Sequence, residues 1–170
     1  VMCGDSTSTD DVGKLLKGEK PCLMVTDPPY GVNYQPSWRA ELGSLVAIGE
    51  VKNDDRADWK EVWSLWGVPV LYVWHDATHA KLVLESLEIA GYDAVSMVVW
   101  VKQHFVISRG DYHWQHEPCL YVVKKGCKHN WQGARDQTTV WEITNNCGHK
   151  GEGVEEQTGH GTQKPLECMA

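Results

Sequence analysis

The sequence predicts an α/β fold: a mostly parallel sheet with an antiparallel pair of strands at one edge. Three observations carry that expectation. Short continuous apolar runs at residues 22–26, 68–74 and 94–101 suit strands buried on both faces. Helical patterns of about 10–15 residues separate them, the spacing of right-handed parallel crossovers. Two further short runs, 119–123 and 139–143, have no helix between them, which points to an antiparallel edge pair. The chain has 170 residues. That is room for one domain with a real core and too little for two ordinary ones.

The elements follow in order. Ser8 is placed to cap a short helix whose Val12, Leu15 and Leu16 share one face, with Gly18 at its end. The first strand stops at Asp27-Pro28-Pro29-Tyr30-Gly31, because two prolines cannot supply ladder hydrogen bonds. Residues 32–56 are polar and irregular and read as a long surface loop. Asp58-x-x-Glu61 resembles a capping box, and Trp59, Val62, Trp63 and Trp66 fall on one helical stripe, read here as core packing. Asp76 caps a helix running to Ala90, and Gly91 fits the position just past its end. Residues 144–161 are glycine-rich and poor in apolar side chains, and read as a second mobile loop.

Composition excludes several classes. Hydrophobic residues are 42% and charged residues 23%, so a mostly disordered chain is excluded. No apolar run approaches the roughly 20 residues of a bilayer span, and no basic-then-apolar secretory signal opens the sequence. The cysteines, Cys3, Cys22, Cys119, Cys127, Cys147 and Cys168, form no CxxC pair. They read as reduced thiols of a cytoplasmic protein. Net charge is −7, which argues against a surface that grips nucleic acid all over. Residues 101–140 differ: six Lys and Arg stand against three acidic residues, with four histidines added. A polyanion would bind there, although charge alone fits a solvated basic loop equally well.

Ligands of open α/β sheets bind beyond the carboxyl ends of the strands, where Asp27-Pro28-Pro29-Tyr30 lies. Asp27 offers a carboxylate acceptor. The prolines stiffen the backbone so that a carbonyl points outward as a second acceptor, and Tyr30 adds a flat ring. Two acceptors and a ring suit a planar group with an exocyclic NH₂, such as a nucleobase.

This tetrapeptide resembles the catalytic motif of the DNA amino-methyltransferases, which use S-adenosylmethionine to methylate adenine N6 or cytosine N4. The likeness extends over nearly the whole chain. Gly4-Asp5 matches a pair often seen before the DPPY strand. Trp100-Val101-Lys102, His116-Glu117-Pro118 and Lys124-Lys125-Gly126 resemble the W-x-K, H-E and K-G series downstream, and Thr162-Gln163-Lys164-Pro165 resembles the T-x-K-P motif. DPPY first and TQKP later is the permuted β order. The resemblance implies a Rossmann-like methyltransferase fold and methyl transfer from S-adenosylmethionine to adenine N6 in DNA, with the target base flipped out. Aspartate at position 27 favours adenine over cytosine as a tendency of that family.

The same likeness implies residue roles. Asp27, Pro28, Pro29 and Tyr30 would be catalytic. Asp5, Thr162, Gln163, Lys164 and Pro165 would border the cofactor, and no metal is required. Lys102, Arg109, Lys124 and Lys125, from the basic quarter, are candidates for phosphate contact. Trp38 and Arg39 follow DPPY and are candidates near the flipped base. The family's F-x-G-x-G loop, expected after TQKP, is not found before Ala170. The sequence therefore reads as the front portion of a catalytic domain, incomplete at its C-terminal side and inactive alone. The alternative is a split or non-catalytic subunit, a DNA-binding fragment that needs a second segment for the cofactor. A third reading keeps the chemistry and changes the substrate to RNA bases or glutamine side chains. Cys127-x-His129 and Cys147-x-His149 offer four zinc-type ligands, in a spacing unlike the usual fingers.

Overall fold

The computed structural model describes residues 2–34, 51–108, 110–144 and 163–170. It opens with α1 (Thr9–Leu16), where the Ser8 hydroxyl accepts the Asp11 N–H at 3.3 Å. The helix stops at Lys17 and Gly18, both in the left-handed region, at φ 49° and 85°. The strands are β1 (Met24–Thr26), β2 (Val70–Trp74), β3 (Tyr92–Val106), β4 (Trp114–Lys124) and β5 (Val140–Glu142). Helix α2 (Lys60–Trp66) connects β1 to β2. A single 3₁₀ turn (Ala77–His79) and α3 (Ala80–Ile89) connect β2 to β3, and α4 (Leu166–Met169) follows β5. Asp76 caps the 3₁₀ turn, not the α-helix itself: its carboxylate accepts the Thr78 N–H at 2.8 Å, and α3 begins at Ala80 with no side-chain cap. The capping box at α2 does not form. Asp58 accepts the Lys60 N–H at 3.1 Å, but Glu61 turns to Arg56 at 2.6 Å and leaves the box open.

The α/β class is observed, as one five-stranded mixed sheet in the order β1-β2-β4-β3-β5. Strands β1 and β2 are parallel, as are β3 and β5, while β4 runs antiparallel to both β2 and β3. The antiparallel strand therefore lies inside the sheet, and β5 forms the edge as a parallel partner of β3. Two local properties explain this. The short 107–113 connection makes β3 and β4 hairpin neighbours. Six successive buried positions, 118–123, then require cover on both edges of β4, whereas β5 has exposed positions that suit an edge.

Each face of the sheet has its own core. On one, Trp59, Val62 and Trp63 pack with Val83 and Leu87 over Leu71, Val73, Leu120 and Val122. The tryptophan stripe is thus packing. Trp63 also places its indole N–H on the buried Ser86 hydroxyl at 3.0 Å, which satisfies that donor. On the other face, Trp74, Trp100, Cys119, Ile143 and Cys168 cluster with Tyr30 and Trp141 packed against them. Trp74 and Trp100 meet edge-on at 6.2 Å between centroids. Each large side chain so buried contributes about 1.5–3 kcal/mol. The second core positions the site, because it anchors the residues after β1 and those of α4 to the same patch of sheet.

Candidate active site

The corner after β1 is held from behind. Gly31 has φ 75°, and a Cβ there would lie 2.8 Å from the Arg56 carbonyl carbon and 2.9 Å from the Ala57 nitrogen. Only glycine meets both demands. Asp54 is 7% exposed, and its carboxylate accepts the N–H groups of Gly31 at 2.9 Å and Tyr34 at 2.6 Å. The Trp59 indole donates to the Pro29 carbonyl at 3.0 Å, turning that carbonyl inward. So the ends of the 32–56 segment are pinned; residues 35–50, with Trp38 and Arg39, lie outside the described residues.

In front of the corner lies an alternating chain of charge. Lys164 donates to both oxygens of Asp27 at 3.0 Å, to the Tyr30 hydroxyl at 2.8 Å and to Glu117 Oε2 at 2.8 Å. The Tyr30 hydroxyl in turn donates to Asp27 Oδ1 at 2.6 Å. Glu117, at the base of β4, accepts Lys102 of β3 through Oε1. The side chains of Lys164 and Lys102 are each 7% exposed, while Asp27 and Glu117 keep about a quarter of their surface, at 25% and 23%. Two buried ammonium groups are thereby balanced by two half-buried carboxylates, as burial of charge requires.

The environment shifts these groups in opposite directions. Burial alone would raise the Glu117 carboxyl, but the Lys164 and Lys102 charges outweigh it and hold it below its ordinary value. Burial alone would lower the Lys164 ammonium, but Glu117 and Asp27 outweigh that and raise it. Burial, then the Asp27 and Glu117 charges, push the Tyr30 hydroxyl well above the usual range, so it serves as a neutral donor.

An open groove of about 910 Å³ runs from this corner along the outer edge of β1, which pairs with no described strand. Asp5, Thr7, Thr26, Asp27, Pro28 and Trp66 are among its lining residues. Asp5 accepts the Thr7 N–H at 2.8 Å and its hydroxyl at 2.7 Å. These bonds, the backbone one first, hold its carboxyl below the ordinary range. Asp27 on this groove is paired with Lys164, so Asp5 is the carboxylate of its lining without a lysine partner.

The structure thus gathers Asp27, Pro28, Pro29, Tyr30 and Lys164 at one place and puts Asp5 on the same groove. Gln163 is half-buried and Pro165 buried beside Lys164; Thr162 lies outside the described residues. The phosphate candidates fare differently. Lys102 is buried and committed to Glu117, which removes it from a DNA-facing surface. Lys124 and Lys125 sit at the opposite rim from Asp27, because β4 runs antiparallel to β2; from Cys119 to Lys124 is roughly 17 Å of strand. Lys125 faces Asp93 at 3.7 Å. Arg109 is outside the described residues, as are Cys147 and His149 of the zinc set, and Cys127 is exposed. Among the described residues no cluster of metal-type ligands occurs, and no helix is long and apolar enough to cross a membrane.

Glu117 and Asp54 were not among the expected site residues. The signal for Glu117 was an acidic residue directly before six apolar positions of a strand. Asp54 gave no local signal, because its partners lie about 20 positions upstream.

No family model matches the chain, and no curated protein matches it. Solved structures do. One described as the M1.HpyAVI–SAM complex superimposes with a TM-score of 0.56 at 19% identity, covering 94% of this chain and 69% of that one. The chain shares its Rossmann-like methyltransferase fold. A second structure, of M1.HpyAVI, matches with a TM-score of 0.52 at 17% identity, covering 81% of this chain and 64% of that one. At such identities the likeness concerns the fold.

Proposed function

We propose that the chain is the catalytic part of a cytoplasmic DNA methyltransferase that moves a methyl group from S-adenosylmethionine to N6 of a flipped-out adenine. The observation that carries this reading is the meeting of the Asp27–Tyr30 corner with Lys164 of the TQKP segment at the mouth of the groove. The fold shared with M1.HpyAVI, whose solved complex contains SAM, supports it. The groove has the size of a small-molecule site, and its Asp5 carboxylate complements a sulfonium charge.

Bound in the groove, S-adenosylmethionine would supply an electrophilic methyl group. The chain's own residues would do the rest. Asp27 and the Pro28 carbonyl accept the two N–H bonds of the adenine amine and draw its lone pair out of the ring, toward the groove. Asp27 takes up the proton that nitrogen sheds as the C–N bond forms. The Tyr30 ring lies against the base, its hydroxyl fixed to Asp27. Gln163 and Pro165, next to Lys164 in the chain, would border the cofactor; Lys124, Lys125 and Arg109 remain phosphate candidates.

Transfer of a tritiated methyl group by the purified full-length protein to unmethylated DNA, with nucleoside analysis, tests this. N6-methyladenine is expected, and Asp27→Ala abolishes it. Label on cytosine, RNA or protein, or full activity in Asp27→Ala, removes the reading. One observation favours a split enzyme or DNA-binding subunit instead: no described strand pairs with the outer edge of β1, along which the groove runs. Calorimetric titration with S-adenosylmethionine separates the two, since a split enzyme binds it only after its second segment is added.

A further inference from the structure

We propose that Glu117, braced by Lys102, is a positioning residue that anchors Lys164 and so leaves one lone pair of Asp27, on Oδ2, for the substrate amine. The inference rests on the methyl-transfer reading for the identity of that amine.

An ionised carboxylate has about four acceptor positions. Oδ1 of Asp27 receives Tyr30 at 2.6 Å and Lys164 at 3.0 Å, and Oδ2 receives Lys164 at 3.0 Å. No other described donor reaches Oδ2, so one position remains there. The three N–H bonds of Lys164 are likewise all engaged, one spanning the two Asp27 oxygens, one on Glu117 at 2.8 Å and one on Tyr30 at 2.8 Å. A lysine ammonium rides on a flexible four-carbon stem. Facing Asp27 alone, it would be free to point a second N–H at the position left on Oδ2. Glu117, with the Tyr30 hydroxyl, takes its other two N–H bonds, so only one reaches the Asp27 carboxylate. Lys102 occupies Oε1 of Glu117, leaving Oε2 for Lys164. Glu117 thus acts through Lys164 and needs no contact with substrate.

The test is Glu117→Gln in the full-length protein, which keeps size, removes the charge and leaves one acceptor oxygen in place of two. Two readouts apply. Steady-state methyl transfer is expected to fall about tenfold in kcat with KM for DNA unchanged within about twofold. Nitrogen-15 lysine NMR is expected to show the Lys164 ammonium titrating above 10.5 in the parent and at lower pH in Glu117→Gln. The double variant Glu117→Gln/Lys164→Met is expected to be no slower than Lys164→Met alone. Unchanged kcat and an unmoved Lys164 titration in a folded Glu117→Gln protein overturn the proposal, as do additive effects in the double variant. A shifted Lys164 titration in a parent that transfers no methyl to DNA overturns the reaction instead and supports the anchoring.

Discussion

The ammonium of Lys164 lies 3.0 Å from each carboxylate oxygen of Asp27, across 137 positions of sequence. Everything at the candidate site is arranged around that pair. Tyr30 shares its Oδ1, Glu117 shares its ammonium, and the groove begins beside it. A nearly buried cation here ties α4 and the preceding TQKP segment to the end of β1.

Removing that cation leaves Asp27 without a counter-charge and Glu117 with Lys102 alone. Lys164→Met is expected to destabilise the fold by roughly 2–4 kcal/mol, at the lower side of a broken buried pair because Asp27 and Glu117 keep some solvent. Urea unfolding measures it. A loss under about 1 kcal/mol would mean that water compensates the acids fully.

The same cluster sets a pH dependence. The Glu117 carboxyl is lowered, so its stabilisation is present above its ordinary value of 4.5 and is lost as pH falls through the lower folded value. The Lys164 ammonium is raised, so its stabilisation is present below 10.5 and is lost as pH rises through the higher folded value. Melting temperature should therefore hold a plateau between those limits and fall on both sides. In Glu117→Gln the acid slope should flatten and the alkaline fall should begin earlier. Thermal melts from pH 3 to 11 decide it, and superimposable profiles would contradict the charge chain.

Behind the corner, Asp54 and Gly31 set the backbone. Asp54→Ala leaves buried N–H groups of Gly31 and Tyr34 without an acceptor, an expected loss of about 2–3 kcal/mol. Gly31→Ala adds a Cβ that must displace the backbone at Arg56, at positive φ, for about 1–3 kcal/mol. Both should also loosen residues 31–34, seen as faster amide exchange there. Wild-type exchange in both variants would show that Pro28 and Pro29 alone hold the turn.

The tryptophan stripe carries much of one core. Trp63→Ala empties a site 1% exposed and removes the donor to the Ser86 hydroxyl, which keeps its own bond to the Val83 carbonyl. It should cost about 3–5 kcal/mol, whereas Trp131→Ala, at a side chain 48% exposed, should stay within about 0.5 kcal/mol. Denaturant midpoints of the two variants make the comparison.

Much was legible in the sequence because it is local chemistry. Two prolines stop a strand wherever they occur. A serine before an apolar stripe caps a helix, as Ser8 does, and an aspartate beside stiffened carbonyls is an acceptor site. Pairing and direction are not local. That β4 lies inside the sheet depended on the short 107–113 connection and on cover for both its edges. Its reversed direction carried Lys124 and Lys125 to the far rim, while Lys102 of β3 came to rest buried against Glu117. Charge counted along a chain cannot tell a phosphate contact from a buried ion pair, because desolvation and partner geometry decide between them. The residues of the corner are written in the sequence. Which charges face Asp27, and which of its lone pairs stays open, only the packing of distant segments against one patch of sheet decided.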